Sequence, residues 1–359
     1  MKPKEPIISV IVPTYNRANM LAGCIDAILC QTVNDFEIVV VNDGSTDKTK
    51  EIITNYNDPR IVFFEKENGG QASARNLGII KSRGKYMSLC DDDDRFYPDH
   101  LKTLCQVLDT DKDIGLVYSD AVWIYKDGSK EPEVKFSQDF DKKSLENFNY
   151  ITTQTVLFRK SCLNDIALFD ESFQLRNGLE DWDFFLRLSD ACGFSHLKQI
   201  TAEYVVHDRN SFHAASGYDY NYAFFHVRTR RLRYLLNKFG YLIFEQVDHM
   251  YPFHLVQCYM NNGKADQAFE IADRLYQLFY LYKQERLALP IVELVILFSL
   301  GISSFARGRQ TDAADFMNRI LDCPSYKNIE KPFIDFIINY VRRLKDMAFR
   351  ALLVNCFLQ

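Results

Sequence analysis

Apolar β-branched runs and amphipathic stretches alternate along the first 110 residues. The runs IISVIV (7–12), FEIVVV (36–41), IVFFE (61–65) and KYMSLC (85–90) read as strands, and helical spacing predicts helices at roughly 17–31, 46–57, 71–82 and 98–109. Such alternation implies parallel strands joined by crossover helices, and open sheets of that kind bind ligands at the carboxyl ends of their strands. Each conspicuous polar cluster stands at such an end: PTYNR after the first strand, NDGSTD after the second and DDDD after the fourth. Residues 114–230 mix strand and helix patterns and should complete the same unit. From about residue 240 onward the pattern is helical, low in Gly and without clear strands.

Two segments of that helical region look alike. MNNGKADQAFEIADRLYQL (260–278) and FARGRQTDAADFMNRILDC (305–323) place Gly, a basic residue, Asp and Ala in the same order, 45 residues apart. This resembles the second helices of tetratricopeptide-like hairpins, although the period is longer than their usual 34. Between them lies LALPIVELVILFSLGISSFA (287–306), which approaches membrane-spanning length but carries Glu293 and an early Pro290. It is read as the first helix of a hairpin, apolar all round because neighbours cover it, in preference to a membrane span. A basic amphipathic stretch, 224–244, precedes it, with Arg228, Arg230, Arg231, Arg233 and Lys238 and with leucines at helical spacing. Two readings stand for it: peripheral contact with an anionic membrane surface, or leucines packed on the protein with the arginines facing its acidic remainder.

The 359 residues suffice for two domains, expected at 1–235 and 236–359. A net charge of −5 gives no overall attraction to nucleic acid, so an anionic ligand must be held locally. Nine cysteines without a CxxC pair suggest a reducing, cytoplasmic setting, with most of them serving as small buried hydrophobes. The apolar run of the N-terminus is too short for a signal peptide and stops at Pro13.

The run Asp91–Asp94 poses the chemical question. Like charges about 4 Å apart repel by roughly 4 kcal/mol at an effective dielectric near 20, so the run is either fully hydrated or neutralised. In an extended segment Asp91 and Asp93 share one face and Asp92 and Asp94 the other. Mg²⁺ or Mn²⁺ held by one or two carboxylates plus substrate phosphates would neutralise one pair, and His207, closing a later strand, is a third candidate ligand. Asp43, before Gly44, either accepts a ring N–H, as uracil, thymine or guanine offer, or stabilises its own turn. Pro13 lacks an N–H, so the first strand should fray there; Tyr15 could then stack on a base, with Arg17 at the following helix start. The turn has no glycine, which excludes a Rossmann dinucleotide fingerprint, and no P-loop is present. Gly69 and Gly70 let the chain enter a helix carrying Arg75 and Asn76, which are either donor-site contacts or surface residues. In NGLEDWDFFLRL (177–188), helical spacing puts Asp181 on the face of Phe184, Phe185 and Leu188, which makes it a candidate general base, whereas Asp183 pairs with Arg187 at the surface.

The ordered set SVIVPTYNR, VVVNDGSTD, NGGQASARNLG, YMSLCDDDDRFYP and EDWDFFLRL resembles the inverting family 2 nucleotide-sugar glycosyltransferases over residues 1–215. The resemblance implies the A-type glycosyltransferase fold, a mixed and mainly parallel Rossmann-like sheet flanked by helices, here followed by an all-α domain. It implies that Pro13, Thr14, Tyr15 and Asp43 hold the nucleotide, with Arg17 and Arg75 nearby. Asp91 and Asp93 match the Asp-x-Asp metal motif for Mn or Mg, Asp92 lies near the ribose or sugar, His207 is a further metal ligand, and Asp181 is the base. The chain reads Val205 where the family often has Tyr-Arg-x-His. The expected activity is transfer from a nucleoside-diphosphate sugar, UDP-linked by preference, to a glycan or lipid-linked acceptor at the inner face of a membrane, with self-association or a protein partner for the helical tail. A sugar-phosphate nucleotidylyltransferase should show a Gly-rich first turn instead, and a non-catalytic binding module would not need Asp181.

Overall fold

The computed structural model describes residues 5–172, 178–207, 217–239, 263–285 and 290–322, with isolated positions between them. The chain divides into two compact units, Met1–Ala223 and Phe224–Gln359.

The first unit is built on one sheet. Its leading strands are β1 (Ile8–Thr14), β2 (Phe36–Asn42), β3 (Ile61–Glu65) and β4 (Tyr86–Leu89), connected by the helices α1 (Ala18–Leu29), α2 (Thr49–Thr54) and α3 (Gln71–Lys81). β1 and β2 are buried along their whole length, as strands covered on both faces must be. The remaining elements are β5 (Arg95–Phe96), α4 (His100–Thr110), β6 (Ile114–Tyr125), β7 (Glu133–Val134), α5 (Lys142–Asn147), β8 (Val156–Arg159), α6 (Glu180–Ala191) and β9 (Gly193–Val206). The strand order is β3-β2-β1-β4-β8-β6-β9-β5, with β7 beside β6. β3, β2, β1 and β4 are parallel, β8 inserts antiparallel, and β6 and β9 run parallel to each other. This is the expected mixed, mainly parallel sheet.

Two local expectations change. β1 does not fray at Pro13 but keeps its register with β2 through Thr14↔Asn42. Its ladder with β4 ends at Ile11↔Leu89, where the Cys90 N–H donates to the Ile11 carbonyl at 3.0 Å. Two residues on, Pro13 turns its missing donor to that same β4 side, so the proline opens the sheet on one side only. The aspartate run is also not extended. The Asp94 N–H donates to the Asp91 carbonyl at 3.0 Å, closing a turn in place of an extended run.

The second unit contains α8 (Ala265–Glu285), α9 (Pro290–Ala306) and α10 (Gln310–Asp322), and α7 (Gly217–Phe239) runs across the boundary between the units. α9 packs against both α8 and α10, and its buried residues run continuously from Leu294 to Ser304. The two look-alike segments share one turn: Gly263 and Gly308 are left-handed (φ 67° and 75°), and Lys264 and Arg309 each donate five residues back, to the Tyr259 and Ser304 carbonyls at 3.0 Å. The repeated glycine therefore stops one helix and starts the next. Among the described residues no helix is long and apolar enough to cross a membrane. Arg228 and Arg231 are buried, their guanidinium groups over the Phe224 and Tyr234 rings, so they form no exposed cationic face. The Arg233 side chain, residues 240–244 and the tail 323–359 lie outside the described residues.

Candidate functional site

The site grows from the carboxyl ends of β1, β2 and β4 and from the start of α6. At the end of β1, Thr14 is buried whereas Tyr15 is 47% exposed, an aromatic face open to a flat ligand. Asn16 takes a left-handed backbone (φ 52°) and its side chain accepts from the Thr46 N–H at 2.8 Å, lashing this loop to the one after β2.

Asp43 closes β2 with every acceptor position of its carboxylate filled. Oδ1 accepts from Lys66 Nζ at 2.8 Å and the Gly69 N–H at 2.9 Å, while Oδ2 accepts from the Gly70 N–H at 2.8 Å and Asn68 Nδ2 at 3.2 Å. The glycine pair lets the chain approach this closely: Gly70 has φ 92°, and a Cβ on Gly69 would meet Lys66 Nζ at 2.7 Å. A ring N–H reaches Asp43 only by displacing Lys66 or Asn68.

The acidic turn divides its four carboxylates among different partners. Arg17 Nη1 donates to Asp92 Oδ1 at 3.1 Å and also to Asp93 Oδ2. His207 Nε2 is hydrogen-bonded to the same Asp93 oxygen at 2.8 Å. Asp91 Oδ1 accepts from Arg75 Nη2 at 2.7 Å, so the two ends of the Asp-x-Asp pattern have different cationic partners. Asp94 is fully buried and accepts from the Val205 N–H at 3.0 Å, which fixes the turn against β9. Burial alone would raise Asp93, but the His207 hydrogen bond and the Arg17 charge hold it below the usual carboxylate range. Burial pushes Asp92 up to about 7 against the pull of Arg17. It pushes Asp94 well above the ordinary value too, helped by the charges of Asp93 and Asp91.

Arg75 joins this turn to α6. It is 1% exposed, and besides Asp91 it donates through Nη1 to Glu180 Oε1 at 2.6 Å. Burial opposes its charge, yet Asp91 and Glu180 hold it protonated. It is therefore not a surface residue: both Nη atoms bind carboxylates, and the buried Nε has no hydrogen-bond partner in the structure. Asn76 is likewise fully committed, exchanging hydrogen bonds with Phe169 (2.9 and 2.8 Å) and donating to Glu171 at 2.7 Å.

At the start of α6 the apolar face works as the spacing predicts: Phe184, Phe185 and Leu188 are fully buried. Asp181 Oδ2 accepts from Asn149 Nδ2 at 3.1 Å and Thr153 Oγ1 at 3.3 Å, and Oδ1 accepts from the Trp182 N–H at 2.7 Å. Burial raises its proton affinity above that of an ordinary Asp, against the charge of Arg75. Glu180 is pushed up by burial to about 7 despite Arg75. Asp183 is buried instead of exposed, because Arg187 binds it at 2.9 Å while also reaching the Ala167 and Leu168 carbonyls. Asn149, Thr153 and Glu180 escaped the sequence reading. Asn149 and Thr153 lie 32 and 28 residues from their partner with no motif around them, whereas Glu180 adjoins Asp181 and was visible as an acidic pair.

A divalent cation fits the residues present. Asp93 is kept ionised beside the His207 imidazole, and the buried Asp92 Oδ2 has no hydrogen-bond partner in the structure. The carboxylate oxygens suit Mn²⁺ or Mg²⁺, and an imidazole nitrogen beside them favours the transition ion Mn²⁺ over Mg²⁺. Among the described residues no three His, Cys, Asp or Glu side chains are placed to hold a metal ion together.

Residues 9–165 match the family model described as Glycosyl transferase family 2. A protein of Rickettsia typhi, called an uncharacterized glycosyltransferase, is 35% identical over 219 residues, covering 59% of this chain and 67% of its own length. The hyaluronan synthase of Pasteurella multocida is 33% identical over 212 residues, or 58% of this chain; the match spans only 21% of that synthase. Among solved structures, S. aureus TarS 1-349 in complex with UDP superposes with a TM-score of 0.56 at 20% identity, covering 85% of this chain and 88% of that one. Its complex with UDP-GlcNAc gives a TM-score of 0.59 at 18% identity, which shows a shared fold.

Proposed function

The chain belongs to glycosyl transferase family 2 and is a glycosyltransferase, and from that premise we propose that it moves a sugar from a UDP-sugar to an acceptor hydroxyl with inversion at the anomeric carbon. The observation that carries this reading is the Arg75 bridge. It ties Asp91 of the acidic turn to Glu180, the neighbour of Asp181, so that a diphosphate-binding end and a proton-accepting end belong to one buried assembly. The UDP-bound TarS neighbours and the synthase relatives of polysaccharide chemistry favour a UDP donor and a glycan acceptor.

In this reading Tyr15 stacks on the base, beside Pro13 and Thr14, while Asp43 shapes the pocket through Gly69–Gly70 and meets the ring N–H in place of Lys66. Asp93 and His207 hold a divalent cation, with Asp92 beside it toward the ribose or sugar. When bound, the cation supplies positive charge to the departing diphosphate. Asp181 accepts the acceptor hydroxyl's proton, oriented by Asn149 and Thr153, and its raised proton affinity makes it a stronger base than an exposed Asp. The hydroxyl oxygen forms its bond to the anomeric carbon on the face opposite the diphosphate, and the breaking C–O pair leaves on the diphosphate oxygen. Arg17, which lies between Asp92 and Asp93, must release at least one of them for the cation to enter. We place the catalytic domain at 1–235, with 236–359 as its helical companion. Calorimetry of UDP with Mn²⁺ and with EDTA tests the cation: binding should require Mn²⁺, and equal affinity in EDTA would remove it from the reaction.

A further inference from the structure

Away from this site two thiols converge on one glycine. Cys162 lies in the short turn Lys160–Leu163 after β8, and Cys192 is the first residue after α6. A Cβ placed on Gly115 of β6 would lie 2.4 Å from Cys192 Sγ and 2.5 Å from Cys162 Sγ, so the bare glycine makes the room in which both sulfurs meet. Both are free thiols and only half-buried. The hydrogen bond between them, aided by the Arg159 charge, favours the Cys162 thiolate, while the same bond holds the Cys192 proton. A thiolate beside arginine and within reach of solvent is the nucleophilic form of cysteine.

The turn that carries Cys162 also lines a cavity of about 350 Å³, bounded by Gly84, Lys85, Arg159, Lys160, Ser161 and Asn164, the last four of which flank Cys162 in the chain. Its lining carries three cations. Arg159 and Lys160 are bonded to neutral groups, the carbonyls of Leu108, Asp111, Ile114 and Ser82 and the Tyr86 hydroxyl, which leave their charge uncancelled. Lys85 faces Asp109, at 3.3 Å. The cavity thus favours a small anion at the turn that carries Cys162.

We propose that Cys162 and Cys192 form a reactive dithiol that exchanges with small carboxylate-bearing disulfides admitted at the Lys85–Arg159–Lys160 cavity, closing to an intramolecular disulfide. The Cys162 thiolate attacks one sulfur of the incoming disulfide; its S–S bond breaks and one thiolate leaves, taking the electron pair and then a proton from water. Cys192, losing its proton to solvent, attacks the mixed disulfide at the Cys162 sulfur and expels the second thiol. The protein loses two protons and two electrons, and the small disulfide gains them. The closed ring, 162–192, contains all of α6. A second close pair in the same molecule provides the contrast: Cys24 Sγ lies 3.6 Å from Cys90 Sγ, but both are buried and burial pushes the Cys90 thiol well up, so this pair should stay reduced.

The test treats the native full chain with oxidised glutathione and maps peptides without reduction. The expected result is a Cys162–Cys192 linkage two hydrogens lighter than the dithiol, with Cys24 and Cys90 still free; Cys192→Ser should trap glutathione on Cys162, and Cys162→Ser should abolish both products. Lys85→Glu/Lys160→Glu should slow the reaction with oxidised glutathione at least about tenfold, within the range of electrostatic steering, and leave that with cystamine, whose ends are cationic, no slower. Absence of the linkage in the wild-type chain overturns the dithiol, and equal slowing with both disulfides overturns the anion-selective cavity.

Discussion

The acidic turn at Asp91–Asp94 and the acidic start of α6 use the same side-chain chemistry for opposite ends. In the turn, Asp93 has His207 and Arg17 against one oxygen and stays ionised below the usual range. At the helix start, Asp181 is fixed by the neutral donors of Asn149 and Thr153, and burial raises its proton affinity. For this pair the balance between burial and touching charge separates a holder of positive charge from an acceptor of protons, whereas at Asp92 and Glu180, which also touch arginines, burial wins. Arg75 touches both regions through Asp91 and Glu180, and its fixed position leaves their unequal environments a single side chain apart.

The comparison breaks most severely at that residue. Arg75→Ala should destabilise the protein by about 3–5 kcal/mol, the usual cost of removing one partner from a buried ion pair. Urea unfolding measures this, and a loss within 1 kcal/mol would show the bridge to be dispensable. Next is Asp93→Asn, which should weaken UDP binding in Mn²⁺ by more than about tenfold, or 1.4 kcal/mol, in calorimetry. Unchanged affinity would assign the cation elsewhere.

The two regions should also separate with pH. With Asp181 as the proposed base, the acid limb of transfer should lie above the ordinary Asp value of about 3.9, whereas Mn²⁺-dependent UDP binding, if it uses the depressed Asp93 as proposed, should persist to lower pH. Coincident limbs in kcat and in calorimetric affinity would contradict the sorting. The smallest effect concerns Asp92, which burial pushes up to about 7. It binds its proton more tightly folded than unfolded, so its contribution to stability is present below about pH 4 and lost as pH rises through about 7. The stability of the wild type relative to Asp92→Asn should therefore fall across that window, as thermal unfolding can follow.

The parallel half of the sheet was legible because β-branched runs and turn clusters are local patterns, and the strand ends that carry Tyr15, Asp43 and Asp91 follow from them. The fates of the carboxylates were not. Whether Asp91 meets a cation depends on Arg75, 16 residues away, and whether Glu180 does depends on the same guanidinium 105 residues away. The extended reading of the aspartate run failed through one backbone hydrogen bond, Asp94 to Asp91, which periodicity does not encode. The arginines of α7 read in sequence as facing either an anionic membrane or the acidic remainder of the protein; Arg228 and Arg231 are buried, with the Phe224 and Tyr234 rings under their guanidinium groups.

The central claim is that Asp181 accepts the proton while the acidic turn holds the nucleotide. Asp181→Asn tests it when UDP affinity in Mn²⁺ and the transfer rate are measured on the same preparation. The account predicts nearly unchanged affinity and a rate lower by about 10²–10⁴-fold, the range for loss of a general base. Normal transfer by a variant that binds UDP normally would contradict it.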